Sequence, residues 1–180
     1  MSQHTLSRTQ RGLTLIEACA TLTIVCVLVT AGWPSLKPTL DRKALQGLAA
    51  ELAADLQLAR GEAVARQEGV RVAAQVAEGG SCVVVYSGPA GACRCGDAAA
   101  PVCEAEGRAV TYRFLPVGSG LSVTANVGSL RFDPRLGTAT PAGTLRVTSA
   151  SGEAVHHVVN LAGRVRSCSP QSAVPGFQAC

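Results

Sequence analysis

The sequence predicts an α+β fold, one long amino-terminal helix packed on antiparallel β-sheets, and three observations carry that expectation. An almost unbroken apolar run occupies residues 13–33. Leucines and alanines then recur at steps of three and four over residues 45–63, the spacing of one helical face. After Gly69 the pattern changes to short β-rich runs separated by glycine, proline and serine clusters.

The elements follow in chain order. Residues 1–12 form a basic leader carrying Arg8 and Arg11. Residues 13–33, at about 1.5 Å per residue, reach across a hydrocarbon core of about 30 Å. That is more than the roughly 7–15 apolar residues of a cleaved secretory signal. The leader arginines predict a single pass with the carboxyl-terminal side exported. Pro34 closes the span and Pro38 follows, at a junction where missing helical hydrogen bonds favour a bend. The exported continuation of the helix covers residues 34–69. Its apolar face is Leu45, Leu48, Leu52, Leu56, Ala59 and Ala63, its far side carries the Glu62 and Arg66 pair, and Gly69 is the expected stop. Strands are expected over 70–76, 82–86, 109–115, 121–125, 129–132, 144–148, 154–160 and 164–166. A spacing of about 8–12 residues suits antiparallel sheets, so residues 70–180 make one β domain.

One carboxylate interrupts the apolar run. Glu17 costs at least a few kcal/mol in hydrocarbon and calls for a positive partner. It closes the hexapeptide Gly12-Leu13-Thr14-Leu15-Ile16-Glu17, which resembles the processing site of type IV pilins and type II secretion pseudopilins. The resemblance implies that a prepilin peptidase cuts between Gly12 and Leu13 and methylates the new amino terminus. Leucine stands there in place of the family's usual phenylalanine. The resemblance also implies that Glu17 pairs with the amino terminus of a neighbouring subunit, neutralising two charges and setting axial register in a filament.

Residues 52–66 and 130–166 resemble the first exported helix and the carboxyl-terminal sheet of the GspH/FimT group of minor pseudopilins. The resemblance implies a pilin-like fold in a single-pass inner-membrane protein whose carboxyl-terminal domain is periplasmic. It implies assembly with other pilins or pseudopilins at the initiation or tip of a filament. Two roles stay open at this point. One is a FimT-like minor type IV pilin; the other is a GspH-like pseudopilin at the tip of a type II secretion pseudopilus.

The chain has 8 cysteines. Cys19 and Cys26 lie in the apolar run and read as small apolar residues. Cys82, Cys93, Cys95, Cys103, Cys168 and Cys180 belong to the exported part, where disulfides persist. Connectivity does not follow from sequence. The preferred reading joins Cys82 to Cys93 and Cys95 to Cys103, stapling a glycine-rich loop, and Cys168 to Cys180, tying down the tail. A metal centre is disfavoured, because Cys93-Arg94-Cys95 lacks the two-residue spacer usual for zinc.

Charge is divided unevenly. Residues 34–107 carry seven basic and nine acidic side chains, whereas residues 108–180 carry seven arginines against Asp133 and Glu153. Arginine grips phosphate bidentately. Within this basic half, Gly163-Arg164-Val165-Arg166 would place two guanidiniums on one strand face, with Gly163 leaving room for close backbone approach. A carboxyl-terminal Gly-Arg-x-Arg motif is associated, among FimT-like pilins, with DNA binding in natural transformation. The resemblance therefore implies sequence-independent contact with double-stranded DNA through Arg164 and Arg166. No catalytic motif, phosphate loop, cofactor or metal set is found; His156 and His157, as strand neighbours, face opposite sides. The chain is read as a non-enzyme.

Overall fold

The computed structural model describes residues 14–180, apart from the side chains of residues 31–35. The chain divides after Thr39 into two compact units.

Within the first unit begins helix α1 (Leu15–Arg66). Its start is capped: the Glu17 N–H donates to Thr14 Oγ1 at 3.4 Å, satisfying one of the donors a helix start leaves free. Thr21, Thr23 and Thr30 turn their hydroxyls back onto helical carbonyls at 2.8–3.0 Å, so these polar groups make no demand on the surroundings. The apolar side chains Leu15, Ile16, Leu22, Ile24, Val27 and Leu28 are all exposed. Among the described residues no helix is long and apolar enough to cross a membrane; the described side chains of the apolar run stop at Thr30. α1 runs without a break through Pro34 and Pro38.

In the second unit the expected stripe is buried, Leu45, Leu48, Leu52, Leu56, Ala59 and Ala63 together with Ala49. The helix ends before Gly69. Gln67 takes the left-handed conformation at φ 56°, with Gln67 N–H donating to Val64 O and Glu68 N–H to Ala63 O. These are the paired bonds of a Schellman stop. Gly69 instead makes room for a neighbour, since a Cβ there would meet the Arg131 guanidinium at 2.4 Å.

Twelve strands follow: β1 (Val70–Ala77), β2 (Gly80–Ser87), β3 (Cys93–Arg94), β4 (Val102–Cys103), β5 (Arg108–Pro116), β6 (Leu121–Ala125), β7 (Leu130–Phe132), β8 (Ala139–Thr140), β9 (Gly143–Ser149), β10 (Ala154–Val159), β11 (Val165–Ser169) and β12 (Gln178–Ala179). They form a sheet ordered β5-β2-β1-β7-β8, a second sheet ordered β12-β11-β10-β9-β6, and the small pair β3-β4. The α1 stripe packs with Val70, Val72, Val83, Val85, Leu130 and Phe132 of the first sheet and Val123, Leu145, Val147, Val155 and Val159 of the second in one hydrophobic core. Arg113 on β5 reaches Glu51 and Asp55 of the helix, and Arg42 pairs with Glu153. Arg113–Glu51 and Arg42–Glu153 lie at the surface, where such pairs stabilise by about 1 kcal/mol or less each, and Arg113–Asp55 is half-buried.

The disulfides join Cys82 to Cys95, Cys93 to Cys103 and Cys168 to Cys180. The tail pairing matches the sequence reading and the two loop pairings do not. The reason is backbone register. The β3-β4 ladder sets Cys93 directly opposite Cys103. Cys95 N–H is drawn to Gln75 Oε1 at 2.9 Å, and Gln75 lies opposite Cys82 in the β1-β2 ladder.

Candidate nucleic-acid interface

The second sheet has a core face and an outward face. Along β9, Leu145, Val147 and Ser149 are buried while Thr144, Arg146 and Thr148 are not; along β10, Val155, His157 and Val159 are buried while Ala154, His156 and Val158 are not. Residues directly opposite in a ladder share a face. Register sets Arg146 opposite Thr124 and His156, and Val158 opposite Thr144 and Arg166. Arg146 and Arg166 therefore project from the same outward face, and both are exposed.

Arg164 is exposed in the turn before β11, which begins at Val165 rather than at Arg164. Its N–H donates to Asn160 Oδ1 at 2.9 Å, and its carbonyl accepts from Asn160 N–H at 3.1 Å. The turn brings Arg164 beside Arg166 at the end of the sheet. The space expected next to Gly163 is taken by the protein's own backbone. Gly163 has φ +72°, and a Cβ there would fall 1.9 Å from the Gly137 carbonyl oxygen. That same carbonyl accepts from Arg60 Nε of α1 at 3.0 Å. The glycine locks the turn onto the loop and helix behind it, which fixes the backbone that carries Arg164.

Among the described residues, Arg42, Arg66, Arg94, Arg108 and Arg113 pair with carboxylates, and Arg146, Arg164 and Arg166 do not. Arg166 Nη2 donates to the Ala179 carbonyl at 3.4 Å. Arg146 Nε donates to His156 Nε2 at 3.0 Å, which requires that nitrogen to be unprotonated. Partial burial, and then the Arg146 charge, pull the His156 pKa below its ordinary value. His157, on the core face, bonds through Nδ1 to Ser167 Oγ at 2.8 Å. Its Nε2 is buried without a partner, and burial followed by the neighbouring His156 lowers its pKa to about 4. His157 is a core residue, not a surface ligand.

Arg146 is the member of this surface that sequence reading missed. The alternation of polar Thr144, Arg146 and Thr148 was the available signal. The other expected sites fall elsewhere. Gly12 and Leu13 lie outside the described residues, and Glu17 stands exposed in the first turn of α1. A hollow of about 340 Å³ lined by Val76, Ser81, Leu115, Leu121 and Val123 has no ionisable side chain in its walls and offers no chemistry.

The family model described as type II transport protein GspH matches residues 48–163. The chain belongs to that family. The GspH match begins on the buried stripe of α1 and stops at Gly163, so Arg164 and Arg166 lie beyond it. The GspH assignment agrees with the folds it resembles. A crystal structure of the type IV minor pilin FimU of Pseudomonas aeruginosa matches at TM-score 0.51 and 25% identity, covering 78% of this chain and 98% of that one. A second crystal form of FimU matches at TM-score 0.46, with 25% identity and 74% of this chain covered. No curated protein gives a significant sequence match. This GspH-family chain is thus a member of the minor pilin and pseudopilin class, with the α+β fold of FimU.

Proposed function

We propose that this chain is a minor type IV pilin that binds double-stranded DNA through the outward face of its carboxyl-terminal sheet. The observation that supports the reading is the group of exposed arginines, Arg164 and Arg166 with Arg146, none of them neutralised by a carboxylate among the described residues. Guanidiniums so left meet phosphate oxygens through charge-assisted bonds, often two in parallel. Contact of this kind is sequence-independent and weakens as salt rises, because binding releases condensed counterions. Aromatic residues make up 3% of the chain, so stacking on bases contributes little. On this reading a prepilin peptidase cuts between Gly12 and Leu13, residues 13–33 anchor the mature chain in the inner membrane, and Glu17 pairs with a neighbouring subunit's amino terminus. The chain then joins a pilus at initiation or at its tip.

The name of the matching family favours a second reading, a pseudopilin of a type II secretion pseudopilus tip. A salt titration of duplex binding by the full chain in nonionic detergent separates the two. Replacing Arg164 and Arg166 by Gln should weaken unrelated duplexes about equally and lower the slope of log affinity against log salt by roughly two phosphate contacts. A parent chain that binds no duplex at low salt would return the protein to the secretion reading.

A further inference from the structure

A depression of about 300 Å³ opens on the same outward face, lined by Thr124, Asn126, Thr144, Arg146, His156 and Cys180 among others. Its walls combine two threonines, an asparagine, a guanidinium and an imidazole, and no carboxylate side chain. Arg146 is held in a definite pose: its Nε is engaged by His156 Nε2 at 3.0 Å, and His156 Nδ1 lies 3.8 Å from Cys180 Sγ. The tail that supplies Cys180 is itself tied to β11 through the disulfide to Cys168 and through Cys180 N–H donating to Ser169 O at 3.3 Å. An arginine anchored by Nε gives up less side-chain entropy when a ligand binds its two Nη groups. Neither Nη of Arg146 makes a hydrogen bond among the described residues.

We infer that this depression is a phosphate subsite, in which Arg146 takes one backbone phosphate of a nucleic acid through its Nη groups while Thr124 and Thr144 offer hydroxyls at the rim. The inference rests on the DNA reading above and extends it from the sheet end to the sheet centre. Arg146 and Arg166 lie two strands and two residues apart in register, about 12 Å between Cα atoms at strand spacings of about 4.8 Å and a rise of about 3.3 Å per residue. Their long side chains therefore reach different phosphates, and the track from Arg164 through Arg166 to Arg146 runs obliquely over β11, β10 and β9.

The full chain in nonionic detergent, titrated with short unrelated duplexes across a range of salt, tests the subsite. Arg146→Gln should weaken every duplex roughly three- to tenfold and reduce the salt slope by about 0.9, one contact. Arg146→Lys, which keeps the charge and loses the His156 bond, should restore the slope while recovering the affinity only in part. On adding duplex, the His156 ring resonances should shift in the parent. An Arg146→Gln protein that binds as the parent does, with a slope unchanged, while Arg164→Gln/Arg166→Gln loses binding, would overturn the subsite and leave the DNA reading standing. A parent that binds no duplex would overturn both.

Discussion

At Gly163 a single hydrogen atom separates a packed turn from a collision. The left-handed φ of +72° and the 1.9 Å approach of the Gly137 carbonyl to a built Cβ act together, and backbone cannot step aside as a flexible side chain can. Gly163→Ala should therefore destabilise the fold by at least about 2 kcal/mol, read as a lowered thermal midpoint, even though Arg164 and Arg166 are untouched. A variant that melts with the parent would mean the turn relaxes freely. His157 sets a second expectation at this scale. Its pKa is about 4 in the fold, against about 6.5 in an unfolded chain. Between those values the unfolded state binds the extra proton, so stability falls as pH drops from about 6.5 to about 4 and then levels off. The loss amounts to about 3 kcal/mol. Denaturant unfolding of the parent and of His157→Asn across that window should show this component of the acid sensitivity in the parent alone.

Among the elements, β12 depends most on a covalent tie. It is two residues long, lies parallel to β11, and is exposed throughout. Besides its ladder it is held by the disulfide of Cys168 with Cys180 and by the Arg166 bond to Ala179 O. Replacing Cys168 and Cys180 by Ser should cost about 3 kcal/mol, the loop-closure value for a crosslink spanning some dozen residues. Hydrogen exchange should then show residues 178–180 unprotected while β9 and β10 keep their protection. Retained protection of β12 would show that the ladder alone suffices. The β3-β4 pair differs: Cys93 is buried and packs with Ala73, Val84, Tyr86 and Ala92 in a core of its own, so its disulfide reinforces apolar burial already present.

For the whole molecule, the proposed function assigns an assembly role to Glu17, which stands exposed in the first turn of α1. The cap at the start of α1 uses its backbone N–H and the Thr14 hydroxyl, and among the described residues the carboxylate itself takes no part in it. Glu17→Gln keeps the cap and removes the charge. If the side chain pairs with a neighbouring subunit's amino terminus, this variant should fractionate with membranes as the parent does but appear at lower yield in sheared filaments. Mass spectrometry of the same material should give a mature chain beginning at Leu13, and Gly12→Val should leave the leader attached. Equal filament yield from parent and Glu17→Gln would remove the assembly role.

Much of this architecture was legible in the residues themselves, and the reason is periodicity. The stripe from Leu45 to Ala63 and the alternation along 144–148 and 154–159 report burial locally, because helix and strand geometry repeat at fixed steps. The tail disulfide was legible too, since its two cysteines serve one terminal segment. What sequence left open depended on contacts between distant segments. The helix end is the local exception: it stops on a left-handed Gln67 stabilised by bonds to Val64 and Ala63, where the residue type argued for Gly69. Cys82 meets Cys95 because β1 carries Gln75 to it, an arrangement no spacing within residues 82–103 specifies. The same holds for the proposed site. Sequence alone brought Arg164 and Arg166 together, being two positions apart. Only the register of β9, β10 and β11 brought Arg146 onto their face, and only the packing of the loop around Gly137 against Arg60 gave Gly163 its purpose.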